Sequence, residues 1–117
     1  MATAAQFRRI ALSLPNVEQG SHHGQPDFRT GGHCFATLSM ADQGYGNLML
    51  TPEVQSEFVA DAPEIFIPIK GGWGRMGHTH LVLATADEAT IRGALQTAYN
   101  LRLAKNAAAK TNARKRR

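Results

Sequence analysis

Between Val17 and Leu50 the chain is broken by turn residues too often to hold a helix, and no connection between its extended pieces is long enough for a parallel crossover. That stretch limits the fold more than any other feature of the sequence. Gly24 and Pro26 interrupt the chain ahead of a short extended piece over 27–30, and Gly31-Gly32 suits a two-residue hairpin loop, whose positions favour positive φ. The segment "HCFATL" (33–38) returns as the next strand, and "NLML" (47–50) follows the loop "ADQGYG" as a third. The spacing predicts an antiparallel meander.

Apolar stripes on either side of this region supply its cover. Phe7, Ile10, Ala11 and Leu14 fall at i, i+3, i+4 and i+7, with Thr3 placed to cap the helix and Pro15 to stop it. Thr51 and Pro52 open a second, short helix. Asp87-Glu88 open the last one, whose Ile91, Ala94, Leu95, Ala98 and Leu101 form one face and which could continue through "AKNAAAK". The segments 64–69 and 79–84 read as strands, with Pro68 placing the first at a sheet edge. The order helix, three strands, helix, two strands, helix predicts an α+β domain of two layers, an antiparallel sheet of about five strands with flanking helices.

The 117 residues suffice for one domain, and the single Cys34 cannot form an internal disulfide, so a reducing, cytoplasmic setting is expected. The apolar run "IALSLP" after Arg8-Arg9 is too short for a secretion signal or a membrane span. Charge divides the chain sharply. Residues 1–104 carry seven Lys/Arg against nine Asp/Glu, a net of −2, whereas 105–117 carry six Lys/Arg and no acid. The boundary expected is therefore a folded domain over 1–104 and a basic tail over 105–117, into which the last helix could run.

The stretch "GWGRMG" (72–77) matches the G-x-G-x-x-G of dinucleotide-binding turns, but that fingerprint needs a helix to follow it, and "HTHLVLA" reads as a strand. No acidic residue lies at the ribose-binding spacing either. A glycine-shaped bend between strands is the better reading. His78 and His80 would share one face of a strand, with His22, His23 or His33 as further nitrogen donors, yet no carboxylate or thiolate stands at ligand spacing, so no metal or cofactor is expected. Cys34 lies mid-strand in an apolar run, as a buried thiol does, and Asp27 and Asp61 read as turn formers. No catalytic constellation is expected.

The segments "FRRIALSLPNVEQGSHHGQPDFRTGGHCFATL", "LTPEVQSEFVADAPEIFIPIKGGWGRMG" and "ADEATIRGALQTAYNLRLA" together resemble the MmcQ/YjbR family of small bacterial proteins over about residues 5–104. "LSLP", "PDFR-x-GG", "FA-x-L" and "GGWGRMG" are the most specific pieces. The resemblance implies a CyaY-like α+β sandwich, with a double-wing arrangement described as DNA-binding and no established catalysis. Many relatives carry a tryptophan where this chain has His78, and the basic tail lies outside the matched region.

Two functions follow as expectations. The first is non-enzymatic DNA binding, with wing hairpins near Gly31-Gly32 and the Trp73 loop approaching the duplex. Arg29, Lys70, Trp73 and Arg75 would act from the hairpins, and Lys105, Lys110, Arg114, Lys115, Arg116 and Arg117 would meet phosphates from the tail. The acidic body opposes it. The second is a regulatory module that binds a small ligand or a protein on a concave sheet face around Phe28, Phe35 and Trp73, without nucleic acid.

Overall fold

A computed structural model describes residues 2–22 and 24–115, with side chains over 2–21 and 24–110. The element order is α1 (Ala4–Ser13), β1 (Glu18–His22), β2 (Gln25–Thr30), β3 (His33–Thr37), a 3-10 turn (Ala41–Gln43), β4 (Tyr45–Met49), α2 (Pro52–Asp61), β5 (Phe66–Pro68), α3 (Gly72–Arg75), β6 (His78–Val82) and α4 (Glu88–Lys115). Six strands form one sheet in the order β1-β2-β3-β4-β6-β5, every neighbouring pair antiparallel. The expected α+β architecture is present, with one strand more than expected.

The helices begin where side chains can satisfy their free amides. Thr3 Oγ1 accepts from the Gln6 amide at 3.1 Å while Gln6 Oε1 accepts from the Thr3 amide at 3.0 Å, a reciprocal cap. Thr51 Oγ1 accepts from the Val54 amide at 3.2 Å and Pro52 occupies the first turn, so α2 starts as its sequence predicts. Helix α4 crosses β2, β3 and β4, α1 packs on α4, and α2 covers β5 and β6. All three lie on one face of the sheet.

The core fills the space between that face and the helices. Phe7, Ile10, Phe28, Phe35, Leu48, Leu81, Ile91 and Leu95 are fully buried there. Each such side chain stabilises the fold by about 1.5–3 kcal/mol relative to exposure. The Phe35 and Tyr99 rings meet edge to face at 5.6 Å, and the Tyr99 hydroxyl donates to the Pro15 carbonyl at 2.6 Å, fastening α4 to the end of the α1 turn.

The pairing between β2 and β3 slips at one point: Phe28 faces Ala36 but Arg29 faces Cys34, which leaves Phe35 as the extra residue of a β-bulge. Strict alternation would send Phe35 and Ala36 to opposite faces; the bulge turns both into the core and keeps Cys34 and Thr37 on the other side. Phe28 and Phe35, expected on a ligand face, are therefore core residues, and the face they were expected to form belongs to their neighbours.

Two further elements differ from expectation. Strand β1 was not foreseen because an edge strand with Glu18, Gln19 and Ser21 all exposed has no apolar alternation to announce it. The glycine-shaped bend contains one helical turn, α3. Two of its glycines answer to close backbone approach: a Cβ on Gly74 would strike the Ile69 carbonyl, and one on Gly77, whose φ is +107°, would strike the Leu50 carbonyl. No described helix is long and apolar enough to cross a membrane.

Candidate functional site: the uncovered face of the sheet

Because the helices cover only one face, the side chains that alternate away from the core line the other. Asp27 pairs across to Thr37, Thr37 to Asn47, Asn47 to His80 and His80 to Ile67, so one lateral row runs over five strands. Beside it lies a second row through Arg29, Cys34, Met49 and His78. Both rows line an open cavity of about 760 Å³, whose lining also includes Tyr45, Met40, Lys70 and Trp73.

The first row is joined by hydrogen bonds. Asn47 Nδ2 donates to Thr37 Oγ1 and to Ser39 Oγ, both at 3.1 Å; the two hydroxyls lie 3.0 Å apart; and Asn47 Oδ1 lies 2.8 Å from His80 Nδ1. Counting protons fixes the amide orientation. Two hydroxyl hydrogens cannot supply all three edges of the Thr37–Ser39–Asn47 triangle, whereas the two amide hydrogens and one hydroxyl can. Oδ1 therefore faces the imidazole, His80 carries its proton on Nδ1, and Nε2 holds a lone pair. Burial lowers the His80 pKa, which favours this neutral form.

His80 Nε2 makes no hydrogen bond among the described residues, and no fully buried polar side-chain atom among them lacks a partner, so this nitrogen opens onto solvent. Tyr45 stacks on the imidazole with ring centroids 4.3 Å apart and planes at 19°, holding the ring still. At the other end Trp73 and His78 lie 5.1 Å apart at 31°, with Trp73 62% exposed. Burial, then the charge of Lys105, lowers the His78 pKa as well.

Charge on this face is arranged in one direction. Asp27 is the only carboxylate of the described residues in the lining, and Arg29 engages it with both Nε and Nη2 at 3.0 Å. The pair lies over β1 at Gly20, where a Cβ would collide with the Asp27 carboxylate and the Arg29 guanidinium. Lys70 makes no ion pair among the described residues. Cys34 Sγ donates to the Ala36 carbonyl at 3.2 Å, and burial, then the nearby Asp27, pushes its pKa up.

The residues singled out in the sequence divide among several places. Trp73, Lys70 and Arg29 line the cavity, although Arg29 is held by Asp27, a strand residue rather than a turn former. Arg75 is exposed on α3, and Lys105 and Lys110 lie on α4, which continues through Lys115. The side chains of Arg114 and Lys115, and Arg116 and Arg117 altogether, lie outside the described residues. The Gly31-Gly32 loop, expected as a free wing, has φ of +60° and +80° as such a turn requires, but it rests on α4: Asn106 Nδ2 donates to the Thr30 carbonyl at 3.1 Å. The described residues contain no group of three or more His, Cys, Asp or Glu placed to hold a metal.

Thr37, Ser39 and Asn47 were missed by sequence reasoning. Their signal was present in the period of two, since Thr37 and Ser39, like His78 and His80, are polar residues two apart in or beside apolar strands.

Comparison with known proteins agrees with the architecture. The family model YjbR matches residues 12–101. The chain is similar to the crystal structure of Deinococcus radiodurans protein DR2400, a DUF419 domain, with a TM-score of 0.68 and 18% identity over 86% of this chain and 78% of that one. At that identity the likeness concerns fold alone. Comparison with curated proteins finds no match. With a family model spanning most of the folded body and a relative of the same antiparallel design, the chain belongs to the YjbR family.

Proposed function

We propose that this chain is a non-enzymatic binding protein that takes up a small organic ligand on the uncovered face of its sheet. The observation that carries the reading is the cavity of about 760 Å³, whose aromatic and aliphatic walls surround a few fixed polar groups. Small-molecule sites have this character, with volumes of roughly 300–1,000 Å³. The groups that could do covalent work are engaged elsewhere: the Cys34 thiol is raised in pKa and bonded to Ala36, and the Asp27 carboxylate is held by Arg29. Neither has a histidine as hydrogen-bond partner among the described residues.

DNA binding is a second reading, favoured by the exposure of Lys70, Trp73 and Arg75 around α3. Three features weigh against it: the acidic body, the neutralised Arg29 and the hairpin tip docked on α4.

A thermal-shift screen with aromatic and anionic metabolites, followed by titration on Trp73 fluorescence, tests the first reading. Saturable quenching is expected. Absence of any small-molecule response, together with duplex binding that weakens on Arg75→Ala in fluorescence anisotropy, would transfer the assignment to DNA.

A further inference from the structure

We infer, on the basis of the ligand-site reading above, that the open face selects a planar aromatic anion bearing a hydrogen-bond donor, with the donor on His80 Nε2, the ring along the cavity floor toward Trp73 and His78, and the anionic group at Lys70. Each part of this recognition comes from a different observation.

The donor is required by the hydrogen-bond row. Thr37, Ser39 and Asn47 together place a proton on Nδ1 of His80, so in the neutral ring, which burial favours, the other nitrogen can only accept. Asn47 has no hydrogen to spare, because both are given to the hydroxyls. A ligand that presents an N–H or O–H here completes the row, and one that presents an oxygen lone pair meets another lone pair.

The flat shape follows from what stands at the two ends. The Nε2 lone pair lies in the imidazole plane, so a donor meets it there, and because Tyr45 covers one face of the ring the rest of the ligand is left the other side, where Met49 and Ile67 line the cavity. At the far end the exposed Trp73 indole, tilted against His78, supplies aromatic surface for a ring lying in the cavity.

The anion follows from charge. With Asp27 engaged by Arg29, no free carboxylate lines the cavity, while Lys70 is unpaired among the described residues and Lys105 stands near enough to His78 to lower its pKa. Ile69 donates its amide to the His78 carbonyl at 3.0 Å, which sets Lys70 beside the end of β6. Counted along β6 and across one strand spacing, the Cα atoms of Lys70 and His80 are on the order of 10 Å apart. A donor and an anion at opposite ends of one or two rings fit that span.

The test uses matched probes in isothermal titration calorimetry at pH 7.5. A carboxylate series comprises 4-hydroxycinnamate, 4-methoxycinnamate, which lacks the donor, and methyl 4-hydroxycinnamate, which lacks the charge. A phosphate series comprises uridine 5′-monophosphate, its N3-methyl derivative and uridine. In the series that matches the site, each blocked probe is expected to bind roughly tenfold more weakly, the size of one well-made hydrogen bond or ion contact. The stronger-binding series tells a carboxylate from a phosphate. His80→Phe, which keeps a ring against Tyr45, should abolish the discrimination against the donor-blocked probe and leave that against the uncharged one; Lys70→Met should do the reverse. Equal binding of blocked and unblocked probes to the native chain, or discrimination that survives these variants, would overturn the inference while leaving a ligand site on this face. Failure of both series to bind would overturn it too, and the metabolite screen then decides whether the site itself stands.

Discussion

Asn106 donates its side-chain amide to the carbonyl of Thr30, 76 positions earlier, at 3.1 Å. Arg102 Nε in turn donates to Asn106 Oδ1 at 3.1 Å, which orients the amide toward the hairpin. The segment that begins the basic end of the chain is thus a prop for the β2–β3 tip. Asn106→Ala is expected to cost about 1 kcal/mol, and a chain ending at Ala104 at least as much. Urea midpoints measure the loss; amide exchange should accelerate at Gly31 and Gly32 and stay unchanged in β4 and β6.

Gly77 and Gly71 separate two reasons for glycine. Both have positive φ, +107° and +82°, but only Gly77 lies against backbone, at the Leu50 carbonyl, while nothing stands within 4 Å of a Cβ on Gly71. Gly71→Ala, at a φ of 82° and ψ of −153°, should cost about 1–3 kcal/mol, the backbone strain alone. Gly77→Ala should cost about 3 kcal/mol or more, because a strand end must also move. Denaturant unfolding of the two variants side by side checks the difference.

Stability should fall on mild acidification. His78 and His80 have lowered pKa values in the folded chain, so near pH 6.5 and below the unfolded chain binds protons that the folded one resists. The stability present above pH 6.5 is then lost as pH falls toward the depressed folded values. Each histidine contributes only a fraction of the about 1.4 kcal/mol per pH unit that a fully resisted proton would give, since both rings are partly solvated. Melting temperatures from pH 7.5 to 5.5 should drop, and the doubly substituted His78→Gln, His80→Gln chain should drop less.

Gly20 leaves room for the Asp27–Arg29 pair. Gly20→Ala places a methyl against both groups and should part them, leaving a buried carboxylate without its partner at a cost of about 1–3 kcal/mol. In Asp27→Asn, where the carboxylate is already gone, the same substitution should cost measurably less. A double-mutant cycle on unfolding free energies reads the coupling.

The meander, the caps at Thr3 and Thr51 and the edge position of β5 were legible because each is a local signal carried by neighbouring residues. What escaped was lateral. Thr37, Asn47 and His80 become neighbours only through the register of three strands, and the slip at Phe35 decides which face each residue of β3 joins. Neither register nor bulge is written in a single strand. His78 and His80 were correctly placed on one face, but their neighbours from β4 were not visible, and so that face carried no sign of a site. Strand β1 and the α3 turn were lost for a simpler reason, since one lacks apolar residues and the other has only four.

The row from Asp27 to Ile67 runs at right angles to the strands. Along that direction no covalent chain runs: ladder bonds, the side-chain bonds of Thr37, Asn47 and His80 and the packing of α4 hold the strands together, and it is the direction in which strands part when a sheet opens. A molecule anchored at His80 in the row and at Lys70 beyond β5 would act as a strut across the seam between β6 and β5, as a tie beam joins rafters. Occupancy would then be felt as mechanical stiffness along the short edge strand β5, without any element having to change its shape.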